Sequence, residues 1–99
     1  MTVAERTQEL VNALQANYDQ NGYGDTKFDM KEGRKYIKIC HYTPQESVHA
    51  FVDKKTGDVF KPASWRGPAK YARYNLLDEA SYHTALGRAD WAGGYLYMR

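Results

Sequence analysis

The sequence predicts a single α+β domain, with an N-terminal helix packed on one face of a three- to four-stranded antiparallel sheet. Three observations lead there. Apolar residues recur at spacings of three and four over residues 2 to 19, the period of an amphipathic helix. Between 27 and 64, β-branched and aromatic runs alternate with short clusters of Gly, Pro, Thr and Lys, as in a meander of strands. The 99 residues leave room for one domain, 1–99, and a thin core, because a chain this short buries only about two thirds of its unfolded surface.

Thr2 opens the helix, with Glu5 placed to complete a capping box. Val3, Thr7, Leu10, Val11, Leu14 and Tyr18 form its apolar stripe, and Arg6, Gln8, Glu9 and Gln15 take the wet side. The NGYG run at 21–24 ends it. Strands follow at KFDMK (27–31), RKYIKICHY (34–42), SVHAFVD (47–53) and DVFKPAS (58–64), with turns at Glu32 and Gly33, at TPQE (43–46) and at KKTG (54–57). Period-two alternation puts Ile37, Ile39, Val48, Ala50, Val52 and Val59 on one face, the seat of the helix. The other face receives Tyr36, Lys38, Cys40, Tyr42, His49, Phe51 and Phe60.

The last third is less regular. Gly67 and Pro68 read as the start of a short helix ending at Tyr74, with Asn75 as a left-handed stop. LLDEASYHTAL (76–86) reads as a further helical segment capped by Asp78 and ended by Gly87, and the YLYM run at 95–98 as an edge strand. This irregular or partly helical segment is expected over the mixed sheet face. The YLYM edge also offers a strand through which two copies could pair as a homo-oligomer.

Nine tyrosines bring the aromatic share to 14%, and a tyrosine joins a large ring to a hydroxyl that seeks water or a partner. A net charge of +2 is too mild to demand a nucleic-acid partner by itself. Its distribution is more telling. Residues 59–77 contain no acid and carry Lys61, Arg66, Lys70 and Arg73, a local +4, so the remainder of the chain is net −2. Phe60, Trp65, Tyr71 and Tyr74 interleave with those cations. Cations meet phosphates while rings stack on bases, so Lys38, Lys61, Trp65, Arg66, Lys70, Tyr71, Arg73 and Tyr74 form the candidate ligand site. The plainer alternative makes the same rings a packing layer over the mixed face, with the cations solvated along their stems.

Other chemistry finds little footing. One cysteine excludes an internal disulfide and a Cys-rich zinc site, and fits a reducing compartment. Cys40 and His49 face each other if TPQE is a four-residue loop, but no third group orients the histidine, and such a pair is usually packing. His41, His49 and His83 lack metal-ligand spacing, and neither phosphate-loop pattern occurs. The expectation is a non-enzymatic protein with no cofactor and no metal. No apolar run reaches membrane-spanning length, and the N-terminus lacks a signal-peptide core, so no membrane partner is expected.

Residues 47–78, SVHAFVDKKTGDVFKPASWRGPAKYARYNLLD, resemble small uncharacterised proteins encoded by tailed bacteriophages. Those proteins share a hairpin of the form FVDKKTGDV and a K-x-ASW-x-x-PAK-x-AR-x-N segment, present here with Ala63–Trp65, Pro68–Lys70 and Ala72–Arg73. The resemblance covers about a third of the chain. It implies a phage origin and the host cytoplasm, and brings no activity. The resulting expectation is a phage accessory protein binding nucleic acid or a nucleotide, for instance sequestering a nucleotide signal of bacterial defence. Alternatives are a host-takeover or anti-defence protein that inhibits a host protein, and a small virion or assembly component.

Overall fold

A computed structural model describes residues 1–22, 24–42 and 45–97. Tyr23 of the helix stop, Thr43 and Pro44 of the TPQE turn, and Met98 of the YLYM run lie outside the described residues. The chain runs α1 (Val3–Asn21), β1 (Lys27–Glu32), β2 (Tyr36–Tyr42), β3 (Glu46–Asp53), β4 (Asp58–Ser64), β5 (Gly67–Asn75) and α2 (Glu79–Arg88), then a 3-10 turn at Gly94–Leu96. The strands form one antiparallel sheet in chain order, so the sheet has five strands where the sequence suggests three or four.

Helix α1 begins as its sequence dictates. The Thr2 hydroxyl accepts from Glu5 N and the Glu5 carboxylate accepts from Thr2 N, a closed capping box. Thr7, Leu10, Val11, Leu14 and Tyr18 are buried against Phe28, Ile37, Ile39, Ala50, Val52 and Val59. Two polar residues expected on the wet side are instead tethers. Gln15 accepts from Phe28 N and donates to Thr26 O, fastening α1 to the start of β1. Arg6 donates to Leu76 O, pairs with Glu79 and lies 4.3 Å from the Tyr82 ring centre, joining α1 to α2.

Several expectations for the last third are overturned. The segment read as a helix from Pro68 to Tyr74 is strand β5, paired with β4 through Val59↔Tyr74, Phe60↔Ala72 and Pro62↔Pro68. Ser64 pairs with Gly67 across Trp65 and Arg66, so Gly67 and Pro68 close a hairpin turn rather than start a helix. Asn75 is not left-handed. Its side chain donates to Thr56 O and Asp58 Oδ1 and accepts from Leu77 N, locking the end of β5 to the β3–β4 turn. Helix α2 starts at the expected cap, Asp78, but runs through Gly87 to Arg88. The YLYM run is no edge strand in its described part: Tyr95 and Leu96 lie in the 3-10 turn.

A further correction concerns layers. Leu76, Tyr82 and Leu96 join the same core as α1, and Trp91 packs edge-on against Tyr18 at 5.2 Å. The C-terminal third therefore shares the α1 side of the sheet instead of covering the mixed face. A bulge also changes the face pattern. Ile39 pairs with Ala50 but Cys40 pairs with Val48, leaving His49 as the extra residue. Val48 thus shares the face of Cys40, and His49 turns to the core beside Phe28 and His41. Among the described residues, β3 and β4 have no paired residues beyond Phe51↔Phe60, so the outer half of the β4–β5 hairpin is an arm paired only within itself. Pro62, which has no N–H to offer a ladder, stands where the two part.

Candidate functional site

Among the described residues, no helix lies on the sheet face opposite α1. Apart from His49, this open face carries the mixed set of side chains that alternation placed there. Phe51 is its buried centre, with the Tyr36 ring edge-on at 5.7 Å and Phe60 beside Tyr36 at 6.3 Å. Lys38 Nζ stands 5.9 Å from the Phe51 ring centre and 4.1 Å from that of Trp65, while Lys35 Nζ lies 5.3 Å from Tyr36. A cation held against an indole face contributes about 0.5–2 kcal/mol and leaves the opposite face available. Trp65 sits at the turn of the β4–β5 arm and remains 42% exposed, too wet for a core indole.

The candidate residues divide into three groups. Lys38 and Trp65 come together on the open face, with Arg66 next to Trp65 at the arm's turn and exposed. Lys70 and Tyr71 are exposed along β5, with Lys70 Nζ 5.4 Å from the Tyr71 ring and the ring itself 57% exposed. Lys61, Arg73 and Tyr74 point elsewhere. Lys61 Nζ lies 5.0 Å from the Tyr97 ring, Arg73 Nε donates to Leu96 O at 2.7 Å, and the Tyr74 hydroxyl donates to Tyr95 O at 2.9 Å. These last contacts anchor the C-terminal turn to the sheet. Strand alternation flagged Lys38 as a face residue but not as a neighbour of Trp65, because nothing in the sequence pattern says where the β4–β5 turn will lie.

Cys40 and His49 do not form a pair. The bulge puts them on opposite faces, with Cys40 fully buried and its thiol pushed up to about 11 by burial. His49 Nε2 is 2.9 Å from the Tyr95 hydroxyl, and the two rings stack at 5.7 Å. Burial, and then the neighbouring His41, depress His49 to about 4, so it is a neutral core histidine at neutral pH. Among the described residues, no cluster of three or more His, Cys, Asp or Glu could hold a metal ion, and no helix is long and apolar enough to cross a membrane.

Fold and face together define a small α+β domain whose antiparallel sheet, among the described residues, is covered by helices on one side only. The chain belongs to DUF7717, a family of unknown function, which matches residues 1–98. No curated protein and no solved structure matches it.

Proposed function

We propose that the protein binds single-stranded nucleic acid on its open sheet face and β4–β5 arm, without catalysing a reaction. The observation that carries this reading is Trp65: a partly exposed indole at the β4–β5 turn, backed by Lys38 and flanked by Arg66, in a stretch free of acids. Unstacked bases offer rings for Trp65 and Tyr71, and their phosphates offer charge for Lys38, Arg66 and Lys70. An open face suits a polymer lying across it better than a free nucleotide, which needs enclosing walls. The likeness of residues 47–78 to phage-encoded proteins supports an accessory role in the cytoplasm of an infected host, such as masking nucleic acid from a defence system.

The test is fluorescence anisotropy with labelled single-stranded oligonucleotides at low salt. Stacking on an aromatic side chain contributes about 1–3 kcal/mol per base, so Trp65→Ala should weaken binding about 5- to 150-fold, and Lys38→Ala by a smaller factor. No saturable binding, or a Trp65→Ala protein that binds like the parent, rejects the reading. The same exposed rings would anchor a protein partner, and capture of a host protein that resists high salt would favour that inhibitor role instead.

A further inference from the structure

A cleft of about 800 Å³ opens between β5, the end of α2 and the C-terminal turn. Small-molecule sites usually span about 300–1,000 Å³. Ala72, Arg73 and Tyr74 form one wall, and Arg88, Asp90 and Tyr97 contribute to the others. Arg73 is fixed in place: its Nε donates to Leu96 O and an Nη1 proton to Tyr71 O, leaving three of its five N–H donors unspent. Arg88, from the last turn of α2, is exposed. Among the described residues, neither guanidinium has a carboxylate partner. The one acid in the lining is Asp90, whose Oδ1 accepts from Ala92 N at 3.0 Å, so the cleft is net positive.

Tyr97 adds a planar surface. It is 63% exposed and is the wall between this cleft and a smaller one lined by Lys61 and His49. Lys61 stands over the ring and lines only the smaller cleft, so the ring's other side fronts the larger one. We infer that this cleft binds a small phosphomonoester carrying a planar ring, the chemical class of a nucleoside monophosphate. Arg73 and Arg88 hold the phosphate with forked N–H donors, Tyr97 stacks on the ring, and the free oxygen of Asp90 accepts from a hydroxyl or amino group of the ligand. The open-face reading uses none of Arg88, Asp90 or Tyr97, so the two stand independently.

Isothermal titration of the full chain with adenosine 5′-monophosphate, adenosine and inorganic phosphate tests the cleft. The monophosphate should bind saturably, adenosine at least tenfold more weakly, and inorganic phosphate should compete. Arg88→Ala should weaken the monophosphate about tenfold with the melting temperature unchanged. Arg73→Lys, which keeps the charge but loses the fork, should also weaken it, whereas Lys55→Ala in the β3–β4 turn should not. No monophosphate binding, equal affinity for adenosine, or an Arg88→Ala protein that binds like the parent overturns the inference. Oligonucleotide binding without monophosphate binding rejects the cleft alone, and the converse rejects the open-face reading alone.

Discussion

His49 is the extra residue of the β3 bulge, and that one backbone step carries its ring into the core, 2.9 Å from the Tyr95 hydroxyl. An unfolded histidine titrates near 6.5, whereas folded His49 titrates at about 4 because burial, helped by His41 and opposed by Asp90, disfavours its charged form. Between those values the unfolded chain binds a proton that the folded chain does not. Stability is therefore full above about pH 6.5 and falls as pH drops toward 4, by up to about 3 kcal/mol for this residue. His41, also depressed by burial, adds to the loss in the same direction. Urea unfolding between pH 7.5 and 4 should show the decline, and His49→Gln should flatten it. Parallel curves for the two proteins would refute the assignment. Arg6 is the second decisive residue, since its guanidinium holds Leu76 O and Glu79 beneath a half-buried stem. Arg6→Ala should cost about 2 kcal/mol in urea unfolding, the scale of a hydrogen bond to a charged group. Glu79→Gln should cost much less, because Glu79 is exposed.

At the level of elements, the contrast between α1 and β5 shows what patterning can convey. Helix α1 carries its own cap and stripe, so its start at Val3 follows from Thr2 and Glu5 without reference to the rest of the chain. Strand β5 does not. Ala69, Lys70, Ala72 and Arg73 are good helix formers, and Gly67–Pro68 matches a helix start, yet no Ser, Thr, Asp or Asn stands there to cap one. The competing force is the unpaired edge of β4, whose hydrogen bonds β5 completes. A tight connection of two residues, Trp65 and Arg66, between runs of similar length was the available signal. The β3–β4 turn is more local. Asp53 Oδ1 accepts from Lys55 N and Thr56 N, and Gly57 takes a φ of +80° that L-residues avoid. A Cβ there would also meet Leu77 Cγ at 3.0 Å. Gly57→Ala should therefore lower stability by about 1–2 kcal/mol or more, read as a fall in melting temperature. Gly67, with open space where a Cβ would stand and no positive φ, should accept alanine with little change.

Across the whole molecule, the strands that alternate and the helix that repeats were legible, and their shared face was correct for Ile37, Ile39, Ala50, Val52 and Val59. His49 and Val48 exchanged faces because a period of two cannot register a bulge. The larger misreading was of the layers. Tyr82 and Leu96 follow helix and turn patterns that suit either side of a sheet, and contact with α1 decided the side. Of the candidate residues, Lys38 and Trp65 meet as a basic–aromatic pair, while Arg73 and Tyr74 became anchors for a C-terminal turn that no motif announced. What remains is a sheet with one face sealed by two helices and the other carrying rings, lysines and the turn of the β4–β5 arm. The most direct measurement of that face is the salt dependence of binding to a single-stranded oligonucleotide. Each phosphate neutralised contributes a slope of about −0.7 to log K against log salt, so Lys38, Arg66 and Lys70 together predict about −2, and Lys38→Ala should make it shallower by about 0.7. A slope near zero, or no saturable binding even at low salt, would contradict the account.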